Sequence, residues 1–122
     1  MIDVDLTAIA QALYRRKESG VLVPYEPRDG IKRPRNLCHI NADAFALKNE
    51  GCEAVRGWLV CDYRDIGLFR FMSHSVNRGA DRRLFDITPG PQRPAFIEHD
   101  GPEGEFEAIV EAGHRWLDYK IS

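Results

Sequence analysis

Cysteine is scarce in this chain, and its few cysteines form no paired pattern. The 122 residues contain three, Cys38, Cys52 and Cys61, and no two of them are spaced as CxxC. An odd count without paired spacing argues against a disulfide framework and favours a reducing compartment, so we predict a cytoplasmic protein. Free cysteines are commonly buried, and we expect Cys52 and Cys61 to be small core residues.

Long apolar runs and an excess of one charge are also missing. No stretch approaches the roughly 18 apolar residues that span a membrane, and the acidic start MIDVDL is unlike a secretory signal. Lys and Arg total 17 against 19 Asp and Glu, a net charge of −2. Nothing in this balance draws the chain to nucleic acid. We therefore expect neither a membrane nor a nucleic acid as partner, and the oligomeric state stays open.

What is present is enough for one small domain. A chain of 122 residues with 43% hydrophobic composition can bury one core, so we predict a single domain over residues 1–122. The mixture of helical and alternating patterns predicts an α+β fold. We expect an antiparallel sheet of three to five strands, with the helix that begins near Cys38 packed on one face.

Helical periodicity predicts a helix near each end of the chain. The first covers residues 4–17, with Asp3 or Asp5 as its N-cap. The second runs over residues 105–117, although Gly113 weakens the helical pattern there.

A further helix is predicted in the middle of the chain, over residues 37–50. Asn36 is a favourable N-cap, which places Cys38 in the first turn. The apolar residues at helical spacing are expected to face the sheet; they are Ile40, Ala44 and Leu47.

Strands are predicted between and after the helices. Apolar runs and alternation indicate strands over residues 53–63, 67–77, 83–88 and 95–98. His74 lies on the second of these strands and Asp86 on the third. His74 and Asp86 face each other across a hairpin if the residue numbers of each cross-strand pair add up to 160. A three-residue loop at residues 79–81 would produce this register.

Three residues carry the chemistry that the sequence suggests: Cys38, His74 and Asp86, in that order. A thiol at a helix N-terminus is favoured as thiolate, which is the nucleophilic form. A neighbouring imidazole can take and return a proton, and a carboxylate behind it fixes the imidazole's tautomer and orientation. We predict a Cys-His-Asp triad that acts on an amide or ester.

The segments around this trio also match a known arrangement. Residues 38–60 read CHINADAFALKNEGCEAVRGWLV and residues 74–90 read HSVNRGADRRLFDITPG. A cysteine opens an alanine-rich helix, a strand with Gly57-Trp58-Leu59 follows, then a histidine strand, then Asp86-Ile87-Thr88-Pro89. This order resembles the core of the transglutaminase-like enzymes, a branch of the papain-like cysteine enzymes, over about half of the chain. Val76 stands where that family commonly has an aromatic residue.

The resemblance implies a thiol hydrolase or acyltransferase that needs no cofactor and acts on a peptide or a small amide or ester. Acyl transfer also requires donors to the developing oxyanion. The backbone amides of Cys38 and His39 are natural donors, and Asn36 or Asn41 could add a side-chain amide. His39 points away from Cys38 on a helix, so we expect it to line the substrate groove.

Two other readings stay open at this point. Cys38, His74 and Asp86, with His39 or His99, are all of residue types that bind zinc. The adjacent Cys38-His39 pair is closer than the usual ligand spacing. A catalytically inactive version of the same fold that binds a peptide or protein is the other alternative.

Overall fold

Two long antiparallel strands form the centre of the fold. The computed structural model describes residues 4–121. In it, β1 (Glu53–Tyr63) pairs along its whole length with β2 (Leu68–Arg78). The turn between them contains Gly67, whose φ of 76° is the left-handed conformation that glycine adopts readily. Both strands lie where the sequence pattern predicts them.

Three shorter strands complete a curled antiparallel sheet. The strand β4 (Phe96–Glu98) pairs with β1. The strands β3 (Leu84–Phe85) and β5 (Trp116–Lys120) share the other edge of β2, at residues 77–78 and 68–72 respectively. The Ser73 amide still donates to the Arg115 carbonyl, so residues 74–76 of β2 lie in an open segment of this edge, between β5 and β3.

Within the described residues, three α-helices accompany the sheet, so the fold class is α+β, as predicted. They are α1 (Leu6–Arg15), α2 (Cys38–Lys48) and α3 (Glu103–Glu111). The side chain of Asp5 caps α1 by accepting a hydrogen bond from the Ala8 amide at 3.1 Å. The alternative cap, Asp3, lies outside the described residues. Between residues 4 and 121, no helix has the length and apolar character to cross a membrane.

The core lies on both faces of the sheet. The larger cluster of buried side chains packs α1 and α3 on one face; it comprises Ala10, Leu13, Trp58, Phe69, Phe71, Ile97, Phe106, Ile109 and Leu117. A smaller cluster on the other face comprises Val23, Val55, Val76 and Phe96. Odd and even positions of β2 thus point to opposite faces, as alternation requires.

The orientation predicted for α2 is wrong. Ile40 and Leu47 are 62% and 89% exposed, whereas Asn41, Ala42 and Phe45 are buried against the sheet. Phe45 packs edge-on against Phe85 of β3, with ring centroids 5.6 Å apart. The helix is held by this aromatic contact and by hydrogen bonds from polar side chains, so its aliphatic stripe faces outward.

The C-terminal prediction is also wrong in part. The helix α3 ends at Glu111, and Gly113 follows with a φ of 93°, which stops the helix. The chain then forms β5, where Leu117 pairs with Phe71 and Tyr119 with Phe69. The positions of Trp116 and Leu117 fit a helical pattern as well as a strand pattern. They form a strand because they pair with the free edge of β2.

Gly57 of β1 allows a close approach between strands. A Cβ atom at this position would lie 2.3 Å from the Ile97 carbonyl oxygen and 2.4 Å from the Phe96 ring. The ring of Phe96 crosses over Gly57 and meets the ring of His74, its centroid 6.5 Å away. Gly57 therefore lets β4 and the Phe96 ring pack beside the histidine.

The substitution Gly57→Ala is expected to lower the free energy of unfolding by about 1–3 kcal/mol, because the added methyl group must displace backbone as well as a ring. Urea unfolding followed by circular dichroism measures this change. Gly90→Ala is the matched control, since its Cβ would meet no atom nearer than 3.8 Å. Equal stability of the two variants would contradict the close approach.

Candidate active site

His74 lies in the open segment of β2 and is paired with a buried carboxylate. Its Nε2 atom is 2.6 Å from Oδ2 of Asp86, and Asp86 is only 3% exposed. Since the carboxylate is the acceptor, Nε2 carries the proton of this bond. The other ring nitrogen, Nδ1, remains free for a second partner, and Cys38 lines the same cavity as His74.

Asp86 reaches His74 by a route that differs from the predicted hairpin register. The turn covers Gly79–Arg83, and Arg78 pairs with Leu84, so paired positions sum to 162. A shift of two residues keeps each side chain on its predicted face. Beyond Phe85 the chain leaves β2, and the amide of Asp86 donates to the Pro24 carbonyl at 2.8 Å. Asp86 thus approaches His74 diagonally and not from the directly opposite position.

Arg93 is a second partner of the Asp86 carboxylate. Its Nη1 donates to Asp86 Oδ2 and its Nη2 to the Thr88 carbonyl, both at 3.0 Å. The guanidinium also lies over the ring of Tyr25. A proline-rich loop carries Arg93, and no local pattern links that loop to the carboxylate.

Cys38 is the first residue of α2 and lies among unpaired backbone amides. The first hydrogen bond within the helix runs from the Asn41 amide to the Leu37 carbonyl, at 2.8 Å. Leu37 occupies the N-cap position and has no side-chain acceptor. Within residues 4–121, the amides of Cys38 and His39 therefore have no hydrogen-bond acceptor, which favours negative charge at this helix end.

The predicted N-cap role of Asn36 is wrong. The helix begins one residue later than predicted, so Asn36 lies in the preceding turn and makes no capping hydrogen bond. Asn36 lines the cavity beside Cys38 all the same.

The ionisation of Cys38 and His74 is coupled. Burial is the largest single influence on the thiol and raises its pKa, but hydrogen bonds and charge from His39 and His74 together lower the pKa of Cys38 to about 6. Burial likewise lowers the pKa of His74, but Asp86 and the Cys38 thiolate raise it to about 9. Between these values the pair exists as thiolate and imidazolium.

His39 lies closer to the thiol than its place on the helix predicts. It contributes to the lowered pKa of Cys38 through hydrogen bonding and charge. Its Nδ1 is 2.6 Å from the Ser75 hydroxyl, which accepts a hydrogen bond from Arg56 at 3.0 Å. His39 also lines the cavity. The part played by Ser75 could not be found from sequence, because serine on a strand face is common.

Asn41 connects α2 to the strand segment that follows Asp86. Its Nδ2 donates to the Pro34 carbonyl at 2.9 Å and to the Thr88 hydroxyl at 3.0 Å. Both amide protons are used, and the residue is buried. Asn41 therefore has no proton for an oxyanion, and the predicted oxyanion contact is replaced by a positioning role.

Cys38 and His74 both line a cavity of about 710 Å³. The apolar part of its lining comprises Val23, Leu59, Met72, Val76, Phe96 and Val110. A cavity of this size accommodates a small organic molecule or a short peptide segment. A smaller cavity of about 190 Å³ lies elsewhere, among mutually paired charges such as Arg78 with Glu98.

The described residues offer no ligand set for a metal. Among residues 4–121, no three His, Cys, Asp or Glu side chains are arranged to hold a metal ion. His99 is one of the residues considered for zinc, but it does not line the cavity that contains Cys38. Its Nδ1 accepts a hydrogen bond from the Trp58 indole at 3.2 Å.

Comparison with known proteins identifies no relative. No protein-family model, no curated protein and no solved structure matches the chain. The function must therefore be argued from the geometry of the site.

The thiol of Cys38 is expected to ionise with a midpoint near pH 6, because imidazolium and unpaired amides stabilise the thiolate. The measurement is the thiolate ultraviolet absorbance against pH, taken as the difference between the unmodified protein and Cys38→Ser. His74→Gln removes the cation and is expected to raise the midpoint. A midpoint near the free-thiol value of about 8.5 in the unmodified protein would contradict the ion pair.

Proposed function

We propose that this protein is a cysteine-dependent enzyme that hydrolyses an amide or ester or transfers its acyl group. Cys38 is the nucleophile, His74 the proton carrier and Asp86 the group that orients His74. The observation that carries the proposal is the 2.6 Å hydrogen bond between His74 and the buried Asp86, in the cavity that Cys38 and His74 both line.

The first step is attack by the Cys38 thiolate on a carbonyl carbon. The S–C bond forms, and the electron pair of the C=O bond moves to the oxygen. The free backbone amides of Cys38 and His39 are the donors available to this oxyanion. Their direction is set by the helix, so no rearrangement is needed as the charge develops.

The second step is loss of the leaving group. The His74 imidazolium gives its proton to the leaving nitrogen or oxygen, the C–N or C–O bond breaks, and a thioester on Cys38 remains. Water or an amine then attacks the thioester carbonyl while neutral His74 takes a proton from it. The C–S bond breaks, the acid or amide leaves, and the Cys38 thiolate and His74 imidazolium are restored. The identity of this acceptor decides between hydrolysis and transfer.

Asp86 supports both steps without reacting. Its carboxylate holds the Nε2 proton of His74, which directs Nδ1 toward the thiol and stabilises the imidazolium. Arg93 and the Thr88 amide occupy other positions on the carboxylate, the latter at 2.9 Å. These contacts prevent rotation of the carboxylate away from the ring.

The arrangement also supports a relationship with the transglutaminase-like branch of the papain-like enzymes. Cys38 opens a helix that packs on an antiparallel sheet, and His74 and Asp86 follow in that order on the β2–β3 segment. We further propose a reducing, cytoplasmic setting, which suits three free cysteines of which one must stay reduced to act.

Reaction with p-nitrophenyl acetate tests the proposed enzyme. We expect a burst of p-nitrophenol and an acetyl group on Cys38, detected by mass spectrometry of the digested protein. Cys38→Ser is expected to abolish both signals, and His74→Ala to slow acylation by about 100-fold or more, as loss of the proton-transfer group does.

Cys52→Ser is the matched control, because Cys52 is also only partly buried but packs beside Phe45 and Phe85, away from the cavity. This variant is expected to keep the burst. If the unmodified protein acquires no acetyl group on Cys38, the enzyme proposal is wrong and an inactive binding module becomes the better interpretation.

A further inference from the structure

The charge around the Cys38 cavity is opposite in sign to that of the chain. The protein as a whole has 19 acidic and 17 basic residues. The cavity lining, in contrast, contains Arg35, Arg93 and Arg115 but a single carboxylate, Asp86. Acidic side chains are thus nearly excluded from the one surface that surrounds the thiol.

Two of these arginines have no counter-charge. Arg93 is paired with Asp86. Arg35 and Arg115 are exposed, and neither forms an ion pair within residues 4–121. Within the described residues, seven of the thirteen arginines pair with a carboxylate, and Arg15, Arg16, Arg82 and Arg83, outside the cavity, also form no ion pair; the seven are Arg28, Arg33, Arg56, Arg64, Arg70, Arg78 and Arg93. The cavity therefore holds two positive charges that no carboxylate of residues 4–121 neutralises.

The two free arginines flank the reacting groups from different elements. Arg35 precedes Cys38 by three residues in the loop that leads into α2. Arg115 directly precedes β5, and its carbonyl accepts the Ser73 amide at 2.9 Å, next to His74. Both arginines line the same cavity as Cys38 and His74, so a substrate bound at the thiol would lie in a cavity that carries two exposed guanidinium groups.

We infer that the substrate of the proposed enzyme is an amide or ester whose apolar body carries a carboxylate. The apolar wall of the cavity receives the body, while Arg35 and Arg115 bind the carboxylate, for which the guanidinium is well shaped. This inference rests on the proposed function, since it names the substrate class of the same site.

A pair of matched alkylating reagents tests the inference. Iodoacetamide and iodoacetate both react by forming an S–C bond to the thiolate with loss of iodide, and they differ chiefly in that iodoacetate carries a carboxylate. The readout is the ratio of the iodoacetate rate to the iodoacetamide rate at Cys38, measured by mass spectrometry. A change in the reactivity of the thiol alters both rates by the same factor and leaves their ratio unchanged. A change in the ratio therefore reports recognition of the carboxylate.

We expect each of Arg35→Ala and Arg115→Ala to lower this ratio by about threefold, the size typical of an exposed charge pair. Arg35→Glu is expected to lower it further, and Arg35→Lys to retain most of it. Added salt is expected to lower the ratio of the unmodified protein toward that of the double alanine variant. Lys48→Ala, at the opposite end of α2, is the control cation and should leave the ratio unchanged.

A second arm identifies the source of the carboxylate. Protection of Cys38 from iodoacetamide is compared for N-acetyl-leucine against its amide, and for a short apolar peptide with a free against an amidated C-terminus. Better protection by either free acid supports the inference and shows whether a small molecule or a peptide terminus supplies the charge. Equal protection by acid and amide in both pairs overturns it.

The two proposals fail in different ways. If Cys38 reacts rapidly with iodoacetamide but the rate ratio is the same in the Arg35 and Arg115 variants as in the unmodified protein, the substrate class is wrong. The proposal of a thiol enzyme is then unaffected. If Cys38 reacts slowly with both reagents, the proposed function is wrong and the substrate class falls with it.

Discussion

The buried carboxylate of Asp86 is the interaction on which the rest of the site depends. It accepts hydrogen bonds from His74, from Arg93 and from the Thr88 amide, and its own backbone is tied to the segment around Tyr25. Burying an ionised carboxylate is unfavourable unless such donors surround it. Once they do, the carboxylate fixes the histidine ring, the strand that follows β2 and the loop that carries Arg93.

Cys38 is held in place through the same strand segment. Asn41, one turn into α2, donates to the hydroxyl of Thr88, two residues after Asp86. The helix that begins with Cys38 is thereby linked by one side chain to the segment that carries the carboxylate. The distance between the thiol and the imidazole is set by this hydrogen bond as well as by the packing of Phe45 on Phe85.

The parts of the fold that the sequence predicts well are those with long, regular patterns. The strands β1 and β2 have eleven residues each, so many positions contribute to the apolar pattern that predicts a strand. Cys38 and His74 could be singled out from sequence, because a cysteine at a helix start and a histidine on a strand leave local signals.

The errors arise where distant contacts decide. The helix α2 presents Ile40 and Leu47 to solvent because Asn41 and Phe45 find better partners on the sheet, and helical spacing cannot reveal those partners. The position of Asp86 depends on pairing with Tyr25, some 60 residues earlier in the chain. Arg93 approaches the carboxylate from an irregular loop, where periodicity carries no information.

The protonation state of His74 tests the account most directly. The pKa of Cys38 is about 6 and the pKa of His74 is about 9. At a pH between these two values, the imidazole should be doubly protonated and the thiol ionised. Nitrogen-15 chemical shifts of the His74 ring measure this, and replacing Cys38 with serine should return the ring toward the neutral form by removing the thiolate. Imidazolium shifts at both ring nitrogens are predicted. A neutral ring with a single proton, unaffected by loss of the thiol, would contradict the thiolate–imidazolium pair and the catalytic role that rests on it.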